Sequence, residues 1–413
     1  MEKGVGKRAL SGLRVIDLGH VVAVPLCTMF LADLGAEVIH VEPFSGDDAR
    51  GIGPFVGPPD KNRSGFFISL NRNKKSLCLD IKKDEGKKIL RSLIGAADIL
   101  IDNFRPGVME RLGFSRETVR EINPRVISAS ITGFGHDALP GYETRPAYDM
   151  VAQAYSGLMS ITGPEGGPSC RVGVTIGDFI AGHQAAIGIL AALHWREKTG
   201  RGQDYDGSMV DGLFSILENA AVRYTIDGTV AKPLGSASAV VTPFQGFPTR
   251  DSSVVTPIAN DALWEKFCRV LGREDLRADP RFQTNYLRTR HRAELIPLLD
   301  AVFREKTTLE WITLFDAADL PCSPINDMRQ ICEDPHIRHR RMLVDIEQPL
   351  AGPMRIAGSP LRLSETPGEV YAPAPALGQH SEEVLREVLG YSPDTIRRLF
   401  EDGVVRGPEP VSS

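Results

Sequence analysis

The strongest constraint on the fold is an alternation in the first two hundred residues between short apolar runs and helical patterns. The runs at 13–18, 36–41, 99–102 and 126–131 read as strands, and the stretches 27–34 and 84–97 read as helices between them. In the second stretch Ile89, Leu90, Leu93 and Ile94 recur at helical spacing. Pro25 fits a first helical turn, where its missing N–H is harmless. Strand–helix–strand alternation calls for a parallel sheet with helices on both faces, an α/β fold. A further helix spans 178–195, rich in Ala, Gly, Ile and Leu and closed by Lys198 and Gly200, and its thin polar face makes it a buried one. Another is expected over 211–222.

At 413 residues the chain exceeds what one core usually covers, so two domains are expected. Composition changes at 224–253, which is rich in Gly, Ser, Thr, Pro and Val and suggests crossing strands or a linker. Amphipathic patterns at 262–271, 292–306 and 309–318 then predict a smaller helical domain. From 349 the chain is rich in Pro and Gly, and helices are expected at 381–389 and 392–400.

Several functions are disfavoured. With 48 basic against 53 acidic residues the formal charge is −5, so nothing suggests a nucleic-acid footprint or a polybasic membrane surface. Six scattered cysteines contain no C-x-x-C pair, and no His/Asp cluster points to a metal. The basic N-terminus is followed by no apolar segment and no run reads as a membrane span, so a reduced cytoplasmic enzyme is expected. The loop Gly19-His20-Val21-Val22-Ala23-Val24-Pro25 is neither G-x-G-x-x-G nor a Walker A, and Gly4-Val5-Gly6-Lys7 follows no strand. No G-x-S-x-G elbow is present. His336 and His339, among Arg338, Arg340 and Arg341, read as a solvated basic face.

One carboxylate stands out. Asp149 opens a helical run after an approach containing Gly133, Gly135, Pro140, Gly141 and Pro146. In isolation such an aspartate reads as a helix cap.

The wider sequence changes that reading. Leu10-Ser-Gly-Leu-Arg-Val-Ile-Asp17, Leu34-Gly-Ala-Glu-Val-Ile39, Val41-Glu-Pro43, Asn71-Arg-Asn-Lys-Lys-Ser-Leu-Cys-Leu-Asp80 and Asn103-Phe-Arg-Pro-Gly107 form one series. Arg111-Leu-Gly113, Asn123-Pro-Arg-Val-Ile127, Lys198-Thr-Gly-Arg-Gly-Gln203 and Leu377-Gly-Gln-His-Ser-Glu-Glu-Val-Leu385 continue it. Together they resemble the class III (CaiB/BaiF, formyl-CoA transferase-like) CoA-transferases, a family that also holds the 2-methylacyl-CoA racemases. The likeness runs nearly end to end and is weakest over 225–259. It implies a Rossmann-like large domain with a parallel sheet made of 1–223 and 336–413, a smaller α+β/helical domain over 224–335, and an interlocked-ring homodimer.

By this resemblance Asp149 is the catalytic nucleophile of a transferase that exchanges one CoA thioester for another without ATP or metal. The carboxylate forms a mixed anhydride with the acyl group and then an aspartyl-CoA thioester, which is covalent catalysis in two easier steps. Glycines such as Gly133, Gly135 and Gly157 would let backbone donors approach the oxyanions. Coenzyme A enters as a substrate and no cofactor is held permanently. The family places CoA contacts at Val21, Ala23, Asn71, Asn73, Lys74, Lys75, Asn103, Phe104 and Arg111. The racemases carry a His just before this Asp, where Tyr148 stands here; tyrosine, with a pKa near ~10, is a poor proton carrier at neutral pH. An inactive CoA-ester-binding relative is the other alternative. Val22 and Thr132 stand where formyl-CoA transferase has a glutamine and a lysine, and its glycine-run loop has no counterpart near 256–260, which argues against formate and oxalate. Arg50, Arg145 and Arg171 are expected near the site, where arginine can hold a second carboxylate bidentately. The expected substrates are therefore succinyl-CoA as donor and a dicarboxylic acceptor.

Overall fold

A computed structural model describes residues 8–408, so the Gly4–Lys7 segment lies outside the described residues. The chain divides into two units. The first takes the chain up to Leu158, then Val172–Glu218, and then the chain from Pro335 onward; the second takes Met159–Arg171 and Asn219–Asp334. The changeovers thus fall within a few residues of 223 and 335, while the 159–171 excursion has no counterpart in the sequence reading.

The first unit is built on a seven-stranded sheet in the order β12-β3-β2-β1-β4-β5-β6. The strands are β1 (Arg14–Asp17), β2 (Glu37–Glu42), β3 (Lys74–Leu79), β4 (Ile99–Asp102), β5 (Ile127–Thr132), β6 (Asp204–Ser208) and β12 (Val405–Arg406). All pair in parallel except β12, which runs antiparallel to β3. Alternate residues serve opposite faces, as strand geometry requires. Val15, Val38, Ile101 and Ala129 join one core with the helices Ala23–Asp33 and Ile176–Thr199. Ile16, Ile39, Leu77 and Leu100 join the other with the helices Asp84–Gly95 and Pro393–Glu401. Both faces are covered, which is why these strands read as continuous apolar runs.

The helix Ile176–Thr199 corrects one expectation, because it is long and apolar enough to cross a membrane. Its Ala181, Ala185, Ile189 and Ala192 lie in the first core. A Cβ on Gly182 would come within 2.7 Å of the Ala23 carbonyl, so the two helices touch through a glycine. The helix expected over 211–222 is in fact two, Met209–Ser215 and Asn219–Asp227, and Lys74-Lys75 opens β3.

The second unit is not purely helical. Its core of Phe247, Trp264, Phe267, Phe303, Trp311 and Phe315 joins the helices Asp261–Leu271, Arg292–Phe303 and Thr308–Ala317 to a three-stranded antiparallel sheet. The sheet strands are β7 (Phe244–Pro248), β8 (Ser253–Pro257) and β9 (Ser323–Pro324).

Beneath the end of β1 lies a buried charge network. Asp17 accepts from Thr28 Oγ1 at 2.6 Å, from Lys74 Nζ at 3.2 Å and from the Gly19 N–H at 2.8 Å. His40 puts Nδ1 3.4 Å from Asp17 and Nε2 3.6 Å from Asp47, without aligned hydrogen bonds. Glu42 receives Arg50 in a two-point pair at 2.7 and 2.8 Å. Burial alone would lower the His40 pKa, but the carboxylates of Asp17 and Glu42 outweigh it and raise the ring to about 9. Three carboxylates therefore meet three cations.

Since His40 titrates near 6.5 unfolded and about 9 folded, its contribution is complete below pH 6.5 and disappears as pH rises through 9. Denaturant titrations should show the wild type losing stability across that window. His40→Gln should be weaker by about 3–5 kcal/mol at pH 7, as expected when one partner leaves a buried ion pair, and should lack most of that slope. An unchanged slope in the variant would contradict the charged His40.

Candidate active site

Strand order reverses between β1 and β4, and in open α/β sheets the crevice at the carboxyl ends of such strands is where ligands bind. Here the two loops are locked together. The His20 N–H donates to Asn103 Oδ1 at 2.9 Å, and Asn103 Nδ2 donates to the His20 carbonyl at 2.9 Å. Val21 takes φ +65°, a conformation that is strained for a β-branched residue. Its N–H is held by both Asp47 oxygens, at 3.0 and 3.2 Å. The network under β1 thus fixes the loop. Val22 then caps the 23–33 helix without any side-chain hydrogen bond, and of its first turn Ala23 borders the crevice while Val24 is buried and Pro25 carries no N–H.

A cavity of about 220 Å³ lies here, lined by these loops, by Thr132 and Gly133 after β5, by Glu143 and Arg145 to Tyr148, and by Asp178. A Cβ on Gly133 would lie 2.2 Å from that of Ala147, so glycine lets this segment close against β5. A second, more apolar cavity of about 450 Å³ shares His20 and Phe104 with the first and reaches Val41, Leu79 and Leu112.

Asp149 is the first residue of the helix Asp149–Tyr155, and Tyr148 holds the cap position, so the carboxylate does not cap its own helix. Oδ1 accepts the Gly177 N–H at 2.8 Å, and Oδ2 accepts Gln153 Nε2 at 2.7 Å. Gln153 is itself oriented by the Val172 N–H, which donates to its Oε1 at 2.9 Å. Gly177 lies in the first turn of the 24-residue 176–199 helix, whose dipole favours a negative charge there. A Cβ at Gly177 would lie 3.0 Å from Asp149 Oδ1 and 3.1 Å from Leu213, so the position favours glycine. Asp149 is 6% exposed. It does not itself line the cavity; the residue before it, Tyr148, and the neighbouring acid Asp178 do. Burial, and then the charge of Asp149, raise Asp178 to about 7, so near neutrality it carries a proton about half the time.

Of the residues expected at the site, Val21, Ala23, Asn103, Phe104 and Arg145 line the cavity. The block 71–75 does not. Asn71 donates to the Phe67 carbonyl and accepts from Lys74, while Lys74 lies buried against Asp17. Asn73, at φ +63°, spends its amide on Asp33 and on the backbone of Glu369, Tyr371 and Ala372. Lys75 pairs with Glu37 and Glu383. Asn71 and Asn73 precede β3 and Lys74 and Lys75 open it, and each spends its polar side chain on protein partners. Arg50 is likewise corrected: it is buried on Glu42 and stacked 3.6 Å from the Phe67 ring. Arg111 is exposed on the helix Val108–Leu112 and lines neither cavity, and Arg171 belongs to the second unit.

Three participants were absent from the sequence reading. Gln153 had a usable signal, standing four residues after Asp149 on one helix. Gly177 and Asp178 reach Asp149 only through tertiary packing.

The sequence pattern of CoA-transferase family III matches residues 10–381, and the chain belongs to that family of enzymes. It is 38% identical to human succinyl-CoA:glutarate CoA-transferase, over 96% of this chain and 90% of the relative. It is 39% identical to succinyl-CoA:mesaconate CoA-transferase of Haloarcula hispanica, over 92% and 96% respectively. Among solved structures, a CaiB/BaiF family protein from Brucella suis superposes with a TM-score of 0.81 at 31% identity, covering 92% of this chain and all of that one.

An acid whose folded pKa is raised costs stability above its unfolded pKa. Asp178 should thus be without penalty below pH 4 and carry its full penalty above pH 7. In denaturant titrations Asp178→Asn should be more stable than wild type at pH 8 by roughly 1–3 kcal/mol, with the gain vanishing toward pH 4. A gain independent of pH would contradict the raised pKa.

Proposed function

We propose that the protein moves CoA from an acyl-CoA donor to a carboxylic acid through Asp149, with succinyl-CoA as donor and a dicarboxylic acid as acceptor. The observation that carries this reading is a buried carboxylate with one oxygen on a backbone N–H at a long helix's N-terminus. Among the described residues each oxygen has a single protein donor, so lone pairs remain that water scarcely reaches. Asp149 attacks the thioester carbonyl, the C–S bond breaks, and a mixed anhydride and CoA thiolate result. The thiolate then attacks the aspartyl carbonyl, the donor acid leaves as carboxylate, and an aspartyl-CoA thioester remains. The acceptor carboxylate attacks that thioester, and the released thiolate takes the acceptor acyl group, which regenerates Asp149. Negative charge develops on the aspartyl oxygen in two of these steps, where the Gly177 N–H supports it.

The CoA pyrophosphate suits the start of the 23–33 helix beside Val21 and Ala23. Asn103 and Phe104 border its path, and Arg111 stands beyond them. Succinyl-CoA and dicarboxylic acids are supported by the relatives, which are a succinyl-CoA:glutarate and a succinyl-CoA:mesaconate CoA-transferase. The racemase reading fares less well. Isomerisation needs a proton carrier on each face of an enolate, and where the racemases carry a histidine just before this aspartate the chain has Tyr148 before Asp149. We also assign the protein to the cytoplasm as a homodimer. Free cysteines support the first assignment, and apolar side chains left exposed on the 176–199 helix and at Phe214 support the second, Ile187 being 67% exposed and Trp195 53%. A single-chain mass of 45.1 kDa by light scattering would refute the dimer.

Transfer from succinyl-CoA to glutarate should proceed with the wild type and fall on the order of 10³-fold or more in kcat with Asp149→Asn. Near wild-type turnover by that variant would remove the nucleophile assignment.

A further inference from the structure

Arg145 stands apart from the other cations of the first unit. It lines the cavity four residues before Asp149, on the segment that Gly133 allows to close against β5. Its guanidinium lies 5.3 Å from the ring of Phe134, 5.0 Å from that of Tyr142 and 5.5 Å from that of Tyr155. The three rings brace one another edge to face, with centroids 5.0 Å apart for Phe134–Tyr155, 5.8 Å for Phe134–Tyr142 and 6.0 Å for Tyr142–Tyr155. Aromatic faces attract and orient a guanidinium but accept none of its fork of N–H groups, which stays available to a planar anion.

Among the described residues no carboxylate lies within ion-pairing distance of Arg145. Arg50, by contrast, spends its fork on Glu42 and the Pro375 carbonyl. The carboxylates that share the cavity, Glu143, Asp48 and Asp178, leave the cage unneutralised and would repel an anion placed elsewhere on the wall. Arg105, the other cation there, belongs to the loop with Asn103 and Phe104 that borders the proposed CoA path.

We infer that Arg145, seated on the Phe134–Tyr142–Tyr155 cage, reads the second carboxylate of a short dicarboxylic substrate. This rests on the reading of the cavity as the acyl-transfer site. Donor and acceptor occupy the same place in turn, so one cation serves both: it holds the distal carboxylate of the succinyl group, and then that of the incoming acid. The rings act as positioning residues, since they fix the fork without touching substrate.

The test compares glutarate with valerate, and succinate with butyrate, as acceptors for wild type, Arg145→Gln and Tyr155→Leu. The wild type should favour each dicarboxylate in kcat/KM. Arg145→Gln should lower that preference on the order of 10- to 100-fold, chiefly through the KM of the dicarboxylate, as expected for loss of a charge-assisted two-point contact. Tyr155→Leu should lower it by a smaller factor, again in KM and not in kcat. Near-UV circular dichroism identifies folded variants, and Arg145→Lys, which keeps the charge and loses the fork, should fall between. If the wild type favours dicarboxylates and folded Arg145→Gln keeps the same preference, Arg145 is not the reader, although the transferase reading stands. If the wild type transfers CoA but shows no such preference, the dicarboxylate assignment and this inference both fail. If it transfers CoA to none of the four acids, the function itself is overturned with them.

Discussion

The site depends on a cluster of charges buried beneath it. Asp17, Glu42 and Asp47 sit buried at the ends of β1 and β2 and after β2, opposite Lys74, His40 and Arg50. Such a cluster tolerates no missing member, because each charge left alone would face the desolvation that its partners now offset. Its consequence for function runs through Asp47. One carboxylate holds the Val21 N–H and so keeps a β-branched residue in a conformation it would otherwise leave. That strained turn directs the start of the 23–33 helix and, through His20 and Asn103, ties the β1 loop to the β4 loop. The sheet's crevice is thereby shaped from below.

The surroundings of Asp149 follow a different logic. Asp149 is held by one donor from its own helix and one from the 176–199 helix, which packs across the sheet. The small residues that let that helix lie close to its neighbours also bring Gly177 within reach of Asp149. A side chain at Gly177 would crowd both the carboxylate and Leu213, so packing and chemistry constrain that position together. Beside it, Asp178 is an acid held near neutrality by burial and by the neighbouring carboxylate, a combination that clusters at functional sites.

Much of this architecture was legible in the sequence, for identifiable reasons. Strands buried on both faces, such as β1 and β4, give continuous apolar runs, and the 84–95 helix shows a regular apolar stripe. The elements that escaped have weaker patterns. β6 reads Asp-Tyr-Asp-Gly-Ser and contributes backbone pairing more than apolar surface. The hairpin β10 (Leu343–Gln348) and β11 (Gly352–Ala357) is half exposed, and β3 opens on two lysines. That last case explains why the expected contacts at 71–75 lie away from the cavity. Lys74 looks like a solvated cation until Asp17, far away in sequence, is seen beneath it. Asp149 was readable from the long likeness around it, whereas Gly177, 28 residues on, was visible only once the helices were packed.

The central claim is that the Asp149 carboxylate becomes covalently loaded with CoA. The direct measurement is the intact mass of the full chain after incubation with succinyl-CoA in the absence of acceptor, followed by peptide mapping. An adduct of CoA mass is expected on the peptide containing Asp149, discharged when glutarate is added and absent in Asp149→Ala. A wild-type protein that transfers CoA yet forms no such adduct, or that carries it on another residue, would contradict it.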